Sequence, residues 1–431
     1  MNTFTENLYI RDDFINLLKT RDMMTLYNIG IQAYGVAIKT ASMFNEKAAA
    51  WVKGRRGIWN KLSSIERGKG RLVWFHAASL GEFEQGRPVM ERLREIEPHT
   101  KILLTFFSPS GFEIRKNYPG ADYIYYLPLD TPANAKRFLD TFQPDAAVFI
   151  KYEFWYNFLR ELHDRNIPTY LISAIFRPNQ PFFKSWGKLY KEMLGFFTKL
   201  FVQDETSLQL LSTIGIDRVQ QAGDTRFDRV MQIAQAAKRL ERVELFCNGS
   251  PAIVCGSTWP ADEDIIIHYI NNHSGQHQKW IIVPHEIGES HIQSILNKCH
   301  VPTARYSDEK ADLQACQVLV VDGIGFLSSI YRYGIIAYIG GGFGKGIHNT
   351  LEAAVYGIPV IFGPRHEKFK EALDLLKQGG GFTINNTDEF TSLVDSLIEN
   401  PAITKTAGQN ALSFVQSQLG ATDAIIRQLV D

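Results

Sequence analysis

Two series of short apolar runs, separated by amphipathic stretches, constrain the fold of this chain more than any other feature of its sequence. The runs are rich in Val, Ile and Leu and are bounded by Gly, Pro or Ser. Such runs predict parallel strands buried on both faces of a sheet, with helices between them. The first series covers residues 72–76, 102–106, 146–150, 169–172 and 200–203, and the second covers residues 252–255, 280–283, 318–321, 336–339 and 360–362. Two series predict two α/β domains.

The break between the two series lies between Asp228 and Pro251. A charged helix is predicted at 238–244, and it leads into turn residues 248–251. A chain of 431 residues is long enough for each domain to bury its own core. We therefore predict an N-terminal extension with a helix, a first domain and a second domain, at residues 1–52, 53–240 and 241–431.

The charge balance excludes one broad class of function. The chain carries 46 basic and 46 acidic residues, so a surface coated for nucleic-acid binding is not expected. Its four cysteines show neither CxxC nor Cys/His metal spacing, which argues against a zinc site and a disulfide scaffold. The first twenty residues carry charged side chains where a secretory signal would have an apolar core. These observations favour a reducing, cytoplasmic environment.

The N-terminal segment departs from this balanced picture. Apolar residues recur every three or four positions along one stripe of a predicted helix, namely Leu26, Ile29, Ala33, Ala37, Ala41, Phe44, Ala48 and Trp51. The uncharged run 23–38 is shorter than the roughly 20 residues that cross a bilayer. Residues 53–71 then form a basic cluster in which the one acid is Glu66. Its basic residues are Lys53, Arg55, Arg56, Lys61, Arg67, Lys69 and Arg71.

An apolar stripe followed by a basic cluster is typical of a helix that lies in the membrane interface beside anionic lipid. The alternative is an ordinary amphipathic helix packed on the protein, followed by a solvated basic loop. The sequence favours membrane contact over this alternative.

Residues directly after the predicted strands are the candidates for chemistry, because ligands of open parallel sheets bind at the carboxyl ends of the strands. After the first strand, Ser79 and Glu82 have the spacing of a capping box. Alternatively, Glu82 accepts a proton from an attacking hydroxyl group, and Gly81 lets a substrate approach the backbone. After the 146–150 run, Lys151 and Glu153 could bind a sugar together with neighbouring aromatic residues, or form an ion pair that caps the next helix.

The glycine-rich segment 339–352 gives the strongest local signal, with five glycines in the seven residues 340–346. It follows a predicted strand and opens a predicted helix, whose N-terminus would offer N–H groups and a positive dipole to phosphate. It matches neither a P-loop nor a clean GxGxxG pattern. Asn349 could cap the helix, and Glu352 could stabilise its N-terminus or bind a ribose hydroxyl. The segment favours nucleotide binding.

Two other strand ends of the second domain point to the same crevice. Ser257 and Thr258 follow its first strand, and His285 follows the next. Each is ambiguous alone, since a lone histidine is more often structural than catalytic. Their shared position at strand ends strengthens the prediction of one binding site.

An ordered set of motifs now resembles a known family: ASLGE at 78–82, GST at 256–258, GGGF at 340–343, HN at 348–349, LEAA at 351–354 and PVIFGP at 359–364. Together they resemble the 3-deoxy-D-manno-octulosonic acid (Kdo) transferases of lipopolysaccharide biosynthesis, from about residue 26 to the C-terminus. The resemblance implies an α/β GT-B fold, with two Rossmann-like domains facing a central cleft and the last helix returning to the first domain. It also implies metal-independent, cofactor-independent transfer of Kdo from CMP-Kdo, with inversion at the anomeric carbon.

The resemblance implies roles for individual residues. Glu82 matches the family's general base, and Ser79, Gly81, Lys151 and Glu153 fall on the acceptor or sugar side. The positions that match the CMP-Kdo side are Ser257, Thr258, Gly341, Gly342, His348, Asn349 and Glu352, and His285 is a further candidate for donor binding from its place at a strand end.

The chain also departs from the family pattern at three places. In the family's Glu-x-Glu-x-Trp-Pro motif, Lys151 stands at the first acid and Tyr156 at the proline. His285 and Glu286 replace a common Arg-His pair, and Ile347 stands where a glycine often precedes His-Asn. These departures affect the contacts with donor phosphate and acceptor rather than the reaction class.

The expected partners follow from the resemblance: CMP-Kdo, the lipid A precursor lipid IVA, and the cytoplasmic leaflet of the inner membrane of a Gram-negative bacterium, with no nucleic acid. The first domain would bind the acceptor and the second the donor. Two alternatives are another GT-B transferase that uses a UDP-sugar and a soluble GT-B-like sugar-nucleotide epimerase. A non-catalytic sugar-nucleotide binder would leave Glu82 without a role.

Overall fold

The computed structural model describes residues 23–63, 68–273 and 278–430, in which strands and helices alternate. The strands are β1 (Leu72–Ala77), β2 (Lys101–Phe106), β3 (Tyr123–Tyr126), β4 (Ala146–Ile150), β5 (Thr169–Ala174), β6 (Lys199–Val202), β7 (Val219–Gln221), β8 (Ala252–Thr258), β9 (Lys279–Pro284), β10 (Thr303–Arg305), β11 (Val318–Val320), β12 (Gly334–Ile339), β13 (Val360–Phe362) and β14 (Gly381–Thr383).

The helices begin with α1, which is helical over residues 23–41. The others are α2 (Glu46–Arg55), α3 (Ile58–Ser63), α4 (Leu80–Ile96), α5 (Pro109–Arg115), α6 (Pro132–Phe142), α7 (Tyr156–Asp164), α8 (Lys188–Gly195), α9 (Glu205–Thr213), α10 (Thr225–Gln235), α11 (Glu241–Cys247), α12 (Pro260–Asn272), α13 (Glu289–Lys298), α14 (Leu327–Ile330), α15 (Leu351–Ala354), α16 (Lys370–Lys377), α17 (Thr387–Glu399), α18 (Pro401–Ser417) and α19 (Ala421–Val430). Short 3-10 turns occupy Pro181–Phe183 and Tyr331–Tyr333.

The chain forms two compact units, Met1–Arg226 with Gly420–Asp431 (unit 1) and Phe227–Leu419 (unit 2). Unit 1 holds a seven-stranded sheet in the order β3-β2-β1-β4-β5-β6-β7, and unit 2 holds one in the order β10-β11-β9-β8-β12-β13-β14. The pairings within both sheets are parallel. The predicted class, α/β with two domains, is confirmed.

The units divide near the start of α10 rather than at the predicted 240/241. Thr225 donates a hydrogen bond to the Gln85 carbonyl in unit 1, whereas Phe227 and Val230 are buried in the core of unit 2. The turn residues 248–251, which suggested the later boundary, instead connect α11 to β8 within unit 2. At the other end, α19 belongs to unit 1, where its Ile425 packs into the core.

Strand β1 shows why these sequences form buried parallel sheets. Leu72 and Trp74 pack into one apolar cluster of unit 1, and Val73 and Phe75 pack into another. Alternate side chains of a strand point to opposite faces, so a continuous apolar run fills the core on both sides of the sheet.

The strands that the sequence did not predict are β3, β7, β10 and β14, which are the edge strands of the two sheets. Each has only three or four residues, and β7 is partly exposed. An edge strand has one strand neighbour instead of two, so a short and half-polar segment suffices to form it. Periodicity alone does not distinguish such a segment from a loop.

Helix α1 packs on unit 1 through a polar seam. The Tyr27 hydroxyl donates to Asp130 Oδ2 at 2.6 Å and accepts from the backbone N–H of Tyr156 at 3.2 Å. Asp130 is buried and also accepts backbone hydrogen bonds from Asn157 and Phe158 in the first turn of α7. One carboxylate therefore fastens α1 to the start of α7.

The predicted apolar stripe is divided between two helices: its residues up to Ala41 lie on the other face of α1, Phe44 lies in the turn that follows, and Ala48 and Trp51 lie on α2. Leu26, Ile29, Ala33, Ala37, Ala41 and Phe44 are all exposed, whereas Trp51, further along the predicted stripe, is buried. Thus the helix does pack on the protein, as the alternative interpretation required, but it does so without covering the stripe.

Two members of the basic cluster at 53–71, Arg55 and Arg71, make contacts within the fold that the sequence did not reveal. The Arg55 guanidinium lies 3.8 Å from the Trp51 ring centroid and 5.0 Å from that of Phe107, and its Nε donates to the Leu127 carbonyl. Burial in this cage lowers the pKa of Arg55 to about 9. Arg71 pairs with Glu97 at 2.7 Å.

The remaining members of the basic cluster are either exposed or outside the described residues. Lys53, Arg56, Lys61 and Lys69 are exposed, and Arg67 lies outside the described residues. The basic surface beside the apolar stripe is therefore smaller than the sequence predicted.

Candidate functional site

Strand order reverses once in each sheet, and the predicted site residues lie at these two points. In unit 1, β1 pairs with both β2 and β4, and in unit 2, β8 pairs with both β9 and β12. Adjacent connections leave such a pair in opposite directions, which opens a crevice at the carboxyl ends of the strands. Ser79–Glu82 follow β1 and Lys151–Glu153 follow β4, while Ser257 and Thr258 end β8 and Gly340–Gly342 follow β12.

Glu82 caps helix α4. Its Oε2 accepts a hydrogen bond from the Ser79 backbone N–H at 3.1 Å and another from the Ser79 hydroxyl. The carboxylate is half-buried at the carboxyl end of β1, and Gly81 beside it is exposed. The capping interpretation therefore describes a real contact, and that contact also orients the carboxylate at the edge of the sheet.

Glu153 belongs to a buried polar network rather than to an ion pair with Lys151. Its Oε2 lies 2.9 Å from His76 Nε2 and accepts the Trp155 indole N–H at 2.7 Å. On the other side, His76 Nδ1 lies 2.8 Å from Thr105 Oγ1, which accepts the Trp74 indole N–H at 2.8 Å. The network satisfies polar groups that would otherwise be costly to bury.

The loop after β4 adopts a backbone conformation that is rare for residues with a side chain. Lys151 has φ of 68°, and Ser173 at the end of the neighbouring β5 has φ of 54°. Strained residues of this kind cluster at functional sites. Next to Lys151, burial raises the pKa of Tyr152, and the charges of Asp204 and Glu82 act in the same direction while Arg177 opposes them. Tyr152 thus lies within electrostatic reach of Glu82.

The glycines of the 340–346 loop serve close backbone packing. A Cβ atom at Gly340 would lie 2.3 Å from the Ser257 carbonyl oxygen, and one at Gly342 would lie 2.5 Å from Gly363 Cα. Gly341 has φ of 93°, in the region that favours glycine. The end of β8 and the loops that follow β12 and β13 are therefore in direct backbone contact, which explains several glycines without a ligand.

The helix after this loop is shorter than the sequence predicted. Helix α15 has four residues, and Thr350 rather than Asn349 is its N-cap. Asn349 Oδ1 accepts the Leu351 N–H at 3.1 Å, and its Nδ2 donates to Glu352 Oε1 at 3.0 Å. Because a dipole accumulates over many aligned peptide units, one turn contributes far less to phosphate binding than the predicted helix would.

Asp262 in the first turn of α12 connects three elements of unit 2. It is buried and accepts hydrogen bonds from the Gly341 N–H at 2.8 Å, the Trp259 N–H at 2.9 Å and the Tyr338 hydroxyl at 2.7 Å. Burial raises the pKa of this carboxyl group, against the lowering effect of its three hydrogen bonds. Asp262 thus fixes the glycine loop relative to α12.

Thr258 is also fixed by a hydrogen bond to a buried acid of α12. Its hydroxyl donates to the buried Glu263 Oε1 at 2.9 Å, and Glu263 Oε2 lies 2.8 Å from His291 Nε2. The Thr258 side chain is fully buried, so it positions the strand end, whereas Ser257, with φ of 54°, is half-exposed.

Three aromatic rings meet at this edge of unit 2. His285 stacks on Trp259 with ring centroids 4.7 Å apart and on His348 with centroids 4.4 Å apart. The Trp259 indole N–H donates to His348 Nε2 at 3.0 Å. Burial, together with the nearby His285, lowers the pKa of His348 to about 4. His348 is therefore a neutral imidazole at pH 7.

Sequence reasoning missed His76, Trp259, Asp262 and Glu263. A signal for the last three was present, because Pro260 at the first helical position followed by two acids marks a helix start. His76 gave no comparable signal, since it lies inside an apolar strand. Within the part of the chain that the structure describes, no three His, Cys, Asp or Glu side chains gather in a metal-binding group.

Known proteins resemble this chain in sequence and in fold. A family model described as 3-deoxy-D-manno-octulosonic-acid transferase (kdotransferase) matches residues 51–229. A 3-deoxy-D-manno-octulosonic acid transferase of Aquifex aeolicus is 30% identical over 342 residues, which cover 78% of this chain and 88% of that protein. One of Rickettsia typhi is 29% identical over 365 residues, covering 82% of this chain and 78% of that protein.

Among solved structures, a putative UDP-N-acetylglucosamine 2-epimerase of Listeria monocytogenes superposes with a TM-score of 0.55. It covers 84% of this chain and 96% of its own, with 11% sequence identity, so the likeness concerns the fold alone. In residues 23–63, 68–273 and 278–430, no helix has both the length and the apolar character that crossing a membrane requires.

We expect Asp262→Ala to destabilise unit 2 by about 2–4 kcal/mol, because three donors around a buried site lose their acceptor. Urea denaturation followed by fluorescence measures this as a lower midpoint. Asp264→Ala is the matched control, since Asp264 is exposed and pairs with Lys298 at the surface, and it should cost less than about 1 kcal/mol. Equal midpoints for the two variants would contradict the role given to Asp262.

Proposed function

The chain belongs to the 3-deoxy-D-manno-octulosonic acid transferases, glycosyltransferases of lipopolysaccharide synthesis, and from this membership we propose that it moves Kdo from CMP-Kdo to a lipid A precursor, lipid IVA. The observation that carries the proposal is the 30% identity to the Aquifex aeolicus transferase over 78% of the chain. The placement of the predicted residues at the strand-order reversal of each sheet supports it.

In the proposed reaction, Glu82 of unit 1 is the general base. It takes the proton of the acceptor hydroxyl as that oxygen forms a bond to the anomeric carbon of Kdo. The bond from this carbon to the phosphate oxygen of CMP breaks, and its electron pair leaves with the phosphate. Attack from the face opposite the leaving group inverts the anomeric configuration. The two hydrogen bonds from Ser79 hold the carboxylate in place for this step.

Unit 2 is the proposed donor-binding unit. The half-exposed residues at its strand ends are Ser257, His348, Asn349 and Glu352, and His285 is exposed. Hydrogen-bond donors that face the departing phosphate would lower the barrier by stabilising its charge. Since α15 is one turn long and His348 is neutral, neither a long helix dipole nor a protonated His348 contributes to this stabilisation.

The two alternatives have weaker support. The likeness to a UDP-N-acetylglucosamine 2-epimerase rests on fold at 11% identity, and one fold hosts many reactions. Against a UDP-sugar transferase, the Kdo transferases match this chain in sequence along most of its length.

Incubation of the protein with lipid IVA in detergent should add Kdo when the donor is CMP-Kdo, and no sugar when the donor is a UDP-sugar. Mass spectrometry of the lipid product measures both whether Kdo is transferred and how many Kdo units are added. A product formed from a UDP-sugar, or none from CMP-Kdo, would contradict the proposed donor.

Glu82→Gln should lower the transfer rate at least about 100-fold, a typical contribution of a general base. Glutamine keeps an oxygen that can accept the Ser79 N–H, so the cap and the thermal stability should be retained. The matched control is Glu84→Gln on the same helix, where Glu84 pairs with Arg115, and its rate should change less than about threefold. A near-native rate for Glu82→Gln would leave Glu82 with its capping role alone.

We also propose that the exposed stripe of α1 lies in the interface of an anionic membrane, at the cytoplasmic face of the inner membrane. Leu26 and Ile29 on α1 and Phe44 in the turn that follows it are 68%, 59% and 87% exposed, which are high values for apolar side chains. The basic side chains Lys39, Lys53 and Arg56 are exposed nearby in sequence and would attract anionic lipid. The helix itself is fixed to unit 1 through Tyr27 and Asp130.

Replacing Leu26, Ile29 and Phe44 together by Ser should reduce co-sedimentation with phosphatidylglycerol vesicles at least about tenfold, because each buried apolar side chain contributes roughly 1.5–3 kcal/mol. Trp186→Ser is the control, since Trp186 is 63% exposed elsewhere in unit 1 and should leave binding unchanged. Unchanged sedimentation of the triple variant would contradict the membrane proposal. A loss of self-association in the triple variant without vesicles would instead assign the stripe to a second copy of the chain.

A further inference from the structure

The contact between Trp259 and His348 has a consequence for the chemistry of the donor site. Trp259 follows the last residue of β8, His348 lies in the loop after β12, and the 3.0 Å hydrogen bond joins the two side chains. His285, which follows β9, stacks across both rings at tilts of 25° and 26°. Three separate strand ends thus contribute one aromatic group each.

The direction of the hydrogen bond determines where His348 carries its proton. An indole N–H can only donate, so His348 Nε2 must present its lone pair. A neutral imidazole then carries its single proton on Nδ1.

We propose that Trp259 is a positioning residue that holds His348 in the Nδ1–H tautomer, so that His348 offers a neutral hydrogen-bond donor to an anionic oxygen of the sugar-nucleotide donor. This inference rests on the proposed function, and it adds a residue that the resemblance does not assign. Trp259 acts through His348, and its own indole N–H is already engaged.

The surroundings of His348 reinforce this protonation state. An imidazolium would place its Nε2–H directly against the Trp259 N–H, which opposes protonation. His285 is the titratable side chain stacked on the ring, and its positive form would oppose a second charge. On the neighbouring elements, Asp262 is engaged with the backbone of Trp259 and Gly341. The pKa of His348, lowered to about 4, leaves the ring neutral across the physiological range.

A fixed neutral donor suits a phosphate leaving group. The CMP phosphate departs as an anion and needs no proton, so a group that donates a hydrogen bond without giving up its proton stabilises it at every pH where the ring stays neutral. Fixing the tautomer in advance also removes the cost of selecting it when the donor binds. Without Trp259, the two tautomers of His348 would compete.

The direct test is long-range ¹⁵N–¹H NMR of histidine-labelled protein at pH 7, with the His348 signals assigned by their loss in His348→Gln. The native protein should show a protonated Nδ1 and an unprotonated Nε2. Trp259→Phe, which keeps an aromatic ring but lacks the N–H, should give a mixture of tautomers and a higher His348 pKa. His285→Phe keeps the Trp259 bond and should retain the Nδ1–H tautomer.

An Nε2–H tautomer in the native protein would overturn the proposal, and this measurement needs no variant to fold. An unchanged His348 tautomer and pKa in a folded Trp259→Phe protein would overturn it equally. Both measurements are made without substrate, so they stay decisive even if the protein proves to use a donor other than CMP-Kdo.

Kinetics supply the second test. With CMP-Kdo, Trp259→Phe should raise the donor KM roughly two- to tenfold at pH 7, the range expected for one hydrogen bond, and change kcat less. The variant should also acquire a dependence of kcat/KM on pH between about 5 and 7 as its His348 titrates closer to neutrality. A kcat/KM profile that runs parallel to the native one would contradict the positioning role.

Discussion

The backbone contact between the end of β8 and the loops that follow β12 and β13 determines the arrangement of the strand ends in unit 2. Gly340 packs against the Ser257 carbonyl and Gly342 packs against Gly363, at distances that leave no room for a side chain. Asp262 holds the glycine loop in place by accepting the Gly341 N–H, and it also accepts the backbone N–H of Trp259. The positions of Ser257, Trp259 and His348 all depend on this contact, so the packing of unit 2 alone arranges this group of strand-end side chains.

Unit 1 reaches a comparable rigidity by different means. At its strand-order reversal, buried polar side chains form a hydrogen-bonded network from Trp74 through Thr105 and His76 to Glu153. Each hydrogen bond of this network engages a group that would be costly to leave unpaired in the core. The result is a fixed carboxyl edge beside Glu82, although the two units use different residue types to achieve it.

The sequence predicted the central strands of both sheets and the edge at which the candidate residues lie, because continuous apolar runs and strand ends leave a clear pattern. It missed the edge strands β3, β7, β10 and β14, whose few half-polar residues need only one partner strand. It overestimated the helix after the glycine loop, since LEAA at 351–354 reads as a helix start but forms a single turn. It also assigned Arg55 and Arg71 to a surface cluster, because charge alone does not reveal an aromatic cage or an ion-pair partner that is distant in the sequence. The hydrogen bond between Trp259 and His348 joins residues far apart in the chain, so no local pattern could predict it.

The seam between α1 and unit 1 has a further consequence for how such a protein would work at a surface. A membrane helix on a flexible linker leaves the rest of its protein free to rotate. In contrast, α1 is fixed through Tyr27 and Asp130 to the helix that follows β4. With its stripe in a lipid interface, the carboxyl edge of the unit 1 sheet would stay at one height and one tilt above the bilayer. The search for a lipid-borne acceptor would then become a two-dimensional problem, in which lateral diffusion rather than rotation brings the hydroxyl group to Glu82.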